Sequence, residues 1–271
     1  MSCEGCPSAG KCGKDASSCG VVSNPNNSIK NVVAVMSGKG GVGKSSMTVL
    51  LAKALAKKGL KVGIMDADIT GPSIPRLMGV EKEQAYGNKD NEIIPIEVEG
   101  VKLMSLNFMM ENESDPVIWR GPIVGNVVKQ FYTDVCWSDL DVLLIDMPPG
   151  TGDVALTALQ SLPVSGVVMV STPQPMVSMI VEKAVKMAQM MHIPILGLVE
   201  NLSYFTCPDN GRQYKVFGDS HIDEISKRHN LPILARLPID PAIAAACDAG
   251  QIETLDAPWM ADAAQKLSEL K

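Results

Sequence analysis

The sequence contains a phosphate-binding loop at residues 38–45, which read Gly-Lys-Gly-Gly-Val-Gly-Lys-Ser. This motif requires a glycine, four residues, a second glycine, a lysine, and a serine or threonine, placed between a strand and a helix. The apolar run at residues 32–35 precedes the loop and predicts a buried strand. Apolar residues at helical spacing follow it, at positions 47, 50, 51, 54 and 55. The sequence therefore predicts a nucleotide site at a strand-to-helix turn.

Each part of this loop has an expected role in holding phosphate. Backbone N–H groups turn inward around phosphate oxygens, and the helix N-terminus adds partial positive charge. Lys44 would neutralise the β- and γ-phosphates of ATP, and the Ser45 hydroxyl would bind Mg²⁺. The same glycines also fit a dinucleotide loop with Asp66 as its ribose acid, but the Lys-Ser pair favours a triphosphate. The predicted nucleotide-binding residues here are Gly38, Lys39, Gly40, Gly41, Val42, Gly43, Lys44, Ser45 and Ser46.

Composition and charge limit the possible partners of the chain. It has 271 residues, of which 46% are hydrophobic and 4% aromatic, and a formal net charge of -6. That charge provides no broad positive field for nucleic acid. No apolar run approaches the roughly 18 residues of a membrane span, and the N-terminus lacks the pattern of a signal peptide. The amphipathic C-terminal helix lacks a basic face for anionic lipid. We therefore expect a cytoplasmic protein with no nucleic-acid or membrane partner.

Strand and helix patterns alternate from Ile29 onward. The alternation predicts an α/β fold with a mostly parallel sheet covered by helices on both faces. A different pattern at residues 85–107 predicts a small β-hairpin insertion around Glu99-Gly100. Residues 29–271 form the expected single domain, and residues 1–28 an expected flexible, cysteine-rich segment. The predicted strands are 31–37, 61–66, 141–146, 166–171, 194–200 and 232–237, and the predicted helices are 45–58, 121–135, 154–160, 175–191, 219–229 and 256–270.

Three aspartates end two of these strands. Asp66 and Asp68 close the strand at 61–66, and Asp146 closes the strand at 141–146. In an open parallel sheet, the ligand lies at the carboxyl ends of the strands. Asp146 would hold Mg²⁺ through water, and Asp66 or Asp68 would position the attacking water. A purely structural role, as a helix N-cap or in a turn, explains any one of these aspartates, but it explains all three together less well.

Lys39 to Ser45 resemble the deviant Walker A motif of the MinD/ParA/nitrogenase-iron-protein class of P-loop ATPases. Residues 137–153, read as Trp-Ser-Asp-Leu-Asp-Val-Leu-Leu-Ile-Asp-Met-Pro-Pro-Gly-Thr-Gly-Asp, are similar to the signature of the Mrp/ApbC/Nbp iron–sulfur carriers. This resemblance implies a homodimer in which Lys39 reaches the partner's nucleotide, and a γ-phosphate switch at residues 150–153. It also implies adenine contacts by Asn201 and the Pro238 loop, although Asn201 is also explained as a strand-end cap.

The cysteines indicate a metal or cluster site. Cys3, Cys6 and Cys12 resemble the N-terminal cluster motif of the Nbp branch, with Cys19 as the available fourth ligand. Four thiolates suit an iron–sulfur cluster, expected to be 4Fe–4S, and zinc is the main alternative. The family that the sequence resembles typically carries Cys-x-x-Cys at this point, and here the first position is Cys207 but the second is Asn210. We therefore expect a bridging cluster at Cys207 to be absent or labile and the N-terminal cluster to be the stable one.

The resulting hypothesis is an ATP-hydrolysing carrier that assembles an iron–sulfur cluster and transfers it to apo-proteins. The main alternative is a MinD/ParA-like positioning ATPase without a cluster, which explains the loop but not the N-terminal cysteines. A second alternative is an electron donor similar to the nitrogenase iron protein. That class needs a cluster cysteine shortly after residue 153, but the sequence there reads Val-Ala-Leu-Thr and contains no cysteine.

Overall fold

The computed structural model describes residues 24–69, 71–110 and 121–270. In these residues nine strands form one sheet in the order β3-β4-β2-β5-β1-β6-β7-β8, with β9 pairing to β7. All neighbouring strands run parallel except β3 against β4 and β8 against β7. The strands are β1 Ser28–Ser37, β2 Val62–Asp66, β3 Ile96–Val98, β4 Val101–Met104, β5 Asp139–Asp146, β6 Gly166–Ser171, β7 Ile195–Thr206, β8 Gln213–Tyr214 and β9 Ile233–Pro238.

The strand order places the helices on both faces of the sheet. The helices are α1 Lys44–Lys57, α2 Ile74–Leu77, α3 Gly121–Thr133, α4 Asp153–Ser161, α5 Pro175–Met190, α6 Ile222–His229, α7 Pro241–Asp248 and α8 Ala261–Ser268. The β1-α1-β2 crossover moves towards β3, whereas the crossovers through α3, α4, α5 and α6 move the opposite way. Right-handed crossovers in opposite directions leave their helices on opposite faces.

The core consists of aliphatic side chains on strands that are covered on both faces. Every residue of β2 and β6 is buried, as are the last seven residues of β1. A continuous apolar strand is typical of a doubly covered parallel sheet. Trp137, two residues before β5, is fully buried, and its indole N–H donates to the Phe131 carbonyl at 2.9 Å. The fold class predicted from the sequence is confirmed.

The predicted hairpin at residues 85–107 is part of the main sheet. Its turn is Glu99-Gly100, and both residues have positive φ angles, 48° and 78°. β4 pairs with β2 in parallel, and β3 then pairs with β4 as an antiparallel edge. The hairpin therefore extends the sheet beyond β2.

Several element boundaries differ from the sequence prediction. β7 continues six residues past the predicted end at 200, because its outer part pairs with β8 and β9. The C-terminal helix begins at Ala261, not at 256, because a 3-10 turn at Pro258–Met260 precedes it. The short helix α2 was not predicted.

The folded domain also begins earlier than the predicted boundary at Ile29. β1 begins at Ser28, and Asn24 is already buried. The side-chain amide groups of Asn24 and Asn26 donate to Glu92 Oε1 at 2.8 and 2.9 Å, and these bonds hold the pKa of Glu92 at about 2, below its usual value. Residues 24–28 are therefore part of the domain.

Candidate functional site

The phosphate-binding loop joins β1 to α1 with two glycines in the left-handed region. Gly41 has φ 78° and Gly43 has φ 81°, and α1 begins at the next residue, Lys44. Gly43 has a second constraint, because a Cβ there would lie 2.4 Å from the side-chain Nδ2 of Asn201. Only glycine combines this backbone conformation with this close approach.

Behind the loop, a buried cluster joins α1 to the end of β5. Lys44 Nζ lies 2.7 Å from Asp146 Oδ2, and the side chains are 7% and 0% exposed. The Ser45 hydroxyl donates to the same oxygen at 2.6 Å. Buried charges are retained only when they are paired and hydrogen-bonded. Here the Asp146 carboxylate is neutralised by Lys44, the residue that is expected to bind phosphate.

Thr48 also contacts Asp146 and was not singled out in the sequence. Its hydroxyl lies 2.8 Å from Asp146 Oδ1 and 3.0 Å from the Lys44 carbonyl oxygen, and the side chain is fully buried. The single hydroxyl proton serves one of these two acceptors at a time. Thr48 therefore fixes the far oxygen of Asp146, so that Oδ2 faces Lys44 and Ser45. Its position one helical turn after Lys44 is the sequence signal that could have identified it.

Asp66 lies on the adjacent strand, and its Cα pairs in register with that of Asp146. It is fully buried and accepts hydrogen bonds from the backbone N–H groups of Asp68, Ser73 and Ile74 at 3.2 to 3.3 Å. Burial is the main cause that raises the pKa of Asp66, to about 8, and the charge of Asp146 adds to it. The Lys44 ammonium acts in the opposite direction but is outweighed.

The donor set of this cluster fits Mg²⁺. Ser45 and Asp146 supply hydroxyl and carboxylate oxygens, the hard ligands that Mg²⁺ prefers, and it keeps several of its own waters. The predicted acids are thus brought together: Asp66 and Asp146 end neighbouring strands, and Asp68 follows Asp66 half-buried. Their roles towards Mg²⁺ and the attacking water remain predictions.

The loop after β5, which contains the predicted switch, lies against the phosphate loop. The Gly150 N–H donates to the Ser37 carbonyl at 2.9 Å. Pro149 lies within 3.8 Å of the position that a Gly40 Cβ would occupy. Lys39 is exposed, and its carbonyl accepts from the Ser37 hydroxyl at 3.0 Å. The structure therefore places Gly150, the start of the predicted switch, beside the phosphate loop.

Asn201 is attached to the phosphate loop from the other side. It is 7% exposed, and its Nδ2 donates to the Val42 carbonyl at 2.9 Å. Its Oδ1 accepts from the backbone N–H of Leu202, which has a positive φ of 56°. Pro238, at the end of β9, pairs with Tyr204 on β7. The structure therefore places Asn201 beside the nucleotide loop, and its adenine contact remains a prediction, as does that of Pro238.

Cys207 lies in the turn between β7 and β8. It is half-buried, its N–H donates to the Arg212 carbonyl, and its carbonyl accepts from the Gly211 N–H, each at 2.9 Å. Tyr214, Val216 and Phe217 nearby in sequence are 45%, 60% and 37% exposed. In the part of the chain that the structure describes, no group of three or more His, Cys, Asp or Glu could hold a metal ion. The predicted ligands Cys3, Cys6, Cys12 and Cys19 lie outside the described residues.

Cys247, on α7, contacts the start of α1. Its Sγ lies 3.4 Å from Ser46 Oγ, in the first turn of α1. Cys136 lies 3.7 Å from the Ser138 hydroxyl. For residues 24–69, 71–110 and 121–270, no helix is long and apolar enough to cross a lipid bilayer.

Comparisons with known proteins match this architecture. The family model described as ParA, NUBPL iron-transfer P-loop NTPase, matches residues 28–270. An iron-sulfur cluster carrier protein from Clostridium perfringens is 46% identical over 256 residues, covering 92% of this chain and 90% of that protein.

Two solved structures are also similar. A nucleotide-binding protein from Archaeoglobus fulgidus in complex with ADP superposes with a TM-score of 0.77 at 40% identity, covering 85% of this chain and 90% of that one. The septum site-determining protein MinD from Pyrococcus horikoshii superposes with a TM-score of 0.62 at 22% identity, covering 89% and 95%. The latter likeness shows the fold alone.

Proposed function

Because the chain belongs to the ParA/NUBPL family of iron-transfer P-loop NTPases, we propose that it is an ATP-hydrolysing iron–sulfur cluster carrier. In this proposal it assembles a cluster and transfers it to apo-proteins in the cytoplasm. The observation that carries the proposal is the 46% identity to an iron-sulfur cluster carrier protein across 92% of the chain. The buried Lys44–Asp146 pair at the phosphate loop supports the nucleotide chemistry.

The nucleotide reaction begins with an exchange of partners at Lys44. In the structure Lys44 pairs with Asp146, and an entering triphosphate would draw the ammonium towards its β- and γ-oxygens. Asp146 Oδ2 and the Ser45 hydroxyl would then be free to hold Mg²⁺. When bound, Mg²⁺ would supply positive charge that neutralises the phosphates.

Asp66 and Asp68 are the proposed positioning residues for the attacking water. The raised pKa of Asp66 leaves it mostly protonated at pH 7 in the nucleotide-free protein. Positive charge brought to Asp146 would lower that pKa, since the charge of Asp146 is one of its causes, whereas withdrawal of the Lys44 ammonium would act in the opposite direction. In its ionised form the Asp66 carboxylate would accept a hydrogen bond from the attacking water. The proposed hydrolysis is slow and switch-like.

The nucleotide chemistry is proposed to need two subunits, whereas the stable cluster is held within one chain. Lys39 is exposed and would reach the nucleotide of the second subunit in a homodimer. A bridging cluster at Cys207 is proposed to be labile or absent, because Asn210 stands at the second position of the Cys-x-x-Cys pattern. Cys3, Cys6, Cys12 and Cys19 are the proposed ligands of a stable 4Fe–4S cluster.

Iron and acid-labile sulfide in anaerobically purified protein test the cluster assignment. We expect wild type and Cys207→Ala to keep both elements and Cys6→Ala to lose them, with Cys136→Ala as the matched control that keeps them. Stoichiometric zinc without sulfide would contradict the proposal. So would loss of the cluster in Cys207→Ala with retention in Cys6→Ala, because the two sites would then be reversed.

A further inference from the structure

Glu200 is a buried acid that neither the nucleotide chemistry nor the cluster chemistry uses. It directly precedes Asn201 on β7, and it is 1% exposed. Its Oε2 accepts a hydrogen bond from the Ser203 hydroxyl at 2.6 Å, and its Oε1 accepts one from the Ser220 hydroxyl, two residues before α6. The guanidinium Nε of Arg236, on β9, lies 4.0 Å from Oε2. A buried carboxyl group with several partners holds the segments that carry those partners in one arrangement.

The hydrogen bond from Ser203 closes a bulge in β7. Three residues of β7, 201–203, lie opposite one residue of β9, because the register shifts between Glu200 and Tyr204. Within the bulge, Leu202 has a φ of 56°, in the left-handed region that is unfavourable for a bulky side chain. Such a conformation persists only where the surrounding contacts determine it. The Glu200–Ser203 hydrogen bond is such a contact, because it joins the residue before the bulge to the last residue of the bulge.

The bulge directs the Asn201 amide at the phosphate loop, since bulges change the direction in which a side chain points. The Asn201 Nδ2 donates to the Val42 carbonyl, and its Oδ1 accepts from the N–H of Leu202, each at 2.9 Å. The C=O and N–H groups of a trans peptide point in opposite directions. The bond to Val42 therefore also orients the N–H of Gly43. Backbone N–H groups are the phosphate donors of this kind of loop.

We propose that Glu200 is a positioning residue of the nucleotide site and that it acts through Asn201. Its carboxyl group holds the bulge closed, and the closed bulge holds the Asn201 amide on the Val42 carbonyl. Loss of the carboxyl group would weaken nucleotide binding without changing any residue of the loop. The inference rests on the proposed function in one respect, which is that residues 38–46 bind a nucleotide.

Calorimetric titration of the full-length protein with ADP and Mg²⁺ tests this role. Glu200→Ala removes the acceptors of both serine hydroxyls and should weaken ADP binding about tenfold, or about 1.4 kcal/mol, as expected for one lost hydrogen bond. Glu200→Gln keeps the size of the side chain and one carbonyl oxygen, so it should restore most of the affinity. The matched control Glu92→Gln alters another buried glutamate, which accepts from two asparagine side chains near the start of β1. It should bind ADP as wild type does.

A mutant cycle with Asn201→Ala separates positioning from a general loss of stability. In the Asn201→Ala background, Glu200→Ala should cause no further loss of ADP affinity, even where it lowers the free energy of unfolding. If Glu200→Ala does not fold, Ser203→Ala, which removes only the closing hydrogen bond, should weaken ADP binding and show the same dependence on Asn201.

Two results would overturn the role of Glu200 and leave the proposed function standing. One is wild-type ADP affinity in the folded Glu200→Ala or Ser203→Ala protein, and the other is a loss that adds in full to that of Asn201→Ala. A wild-type protein that binds no ADP would overturn the proposed function and this role together.

Discussion

The contact between Gly43 and Asn201 gives the sharpest stability prediction. In Gly43→Ala, the new Cβ would lie 2.4 Å from Asn201 Nδ2, so the amide must move away from the Val42 carbonyl. Gly41→Ala is a matched control, because its φ of 78° is close to the 81° of Gly43 and a Cβ there meets nothing within 4 Å. Both variants have the same left-handed strain, about 1–2 kcal/mol, and the same gain from a stiffer unfolded chain.

The difference between the two variants therefore measures the Asn201 contact. Losing the hydrogen bond costs about 0.5–1.5 kcal/mol, and overpacking a buried group costs about 1–3 kcal/mol. We expect Gly43→Ala to lower the free energy of unfolding by about 2 kcal/mol more than Gly41→Ala does. Urea unfolding of the nucleotide-free protein measures both values.

A double-mutant cycle tests the cause of this difference. With Asn201→Ala already present, the clash partner is absent, so Gly43→Ala should cost no more than Gly41→Ala. Equal costs of the two glycine variants in the wild-type background would refute the reasoning. Additive effects of Gly43→Ala and Asn201→Ala would refute it as well.

Three further predictions follow from buried polar groups. Thr48→Val removes the hydroxyl that holds Asp146 Oδ1, so the Mg²⁺ concentration needed for half-maximal ADP binding should rise several-fold. The control Thr48→Ser should keep the wild-type value. Equal Mg²⁺ dependence of all three proteins would contradict this prediction. The pKa of Asp66 is raised to about 8, so between pH 5 and pH 8 the folded state retains a proton that the unfolded state releases. The free energy of unfolding of the nucleotide-free protein should therefore fall over this interval, by at most about 4 kcal/mol. A urea midpoint that rises over that interval would be the opposite result. Trp137→Phe leaves the Phe131 carbonyl without its indole donor and should lower the free energy of unfolding by about 1–3 kcal/mol, with an unchanged urea midpoint as the contrary outcome.

The phosphate loop and the sheet could be predicted because their signals are local. A glycine-rich motif between an apolar strand and an amphipathic stripe specifies both the turn and the elements around it. Asp66 and Asp146 could be placed together because parallel strands bring their carboxyl ends to one edge. The structure pairs these two residues in register.

Other features depend on contacts that no local pattern encodes. Asn201 is 158 residues from Gly43 in sequence, and the requirement for glycine at 43 arises only when the two meet. The contact of Cys247 with Ser46 likewise depends on how α7 packs against α1. The hairpin was predicted as an insertion because its pairing with β2 is set by the tertiary structure.

The most direct test of the account is ATP-dependent cluster transfer. Anaerobically reconstituted protein is mixed with an apo iron–sulfur acceptor, with and without Mg-ATP, and cluster arrival is followed by absorbance and acceptor activity. The account predicts that wild type transfers its cluster at a rate that depends on ATP. It also predicts that Lys44→Ala retains its cluster but loses this dependence. Transfer by Lys44→Ala at the wild-type rate in the presence of ATP would contradict it.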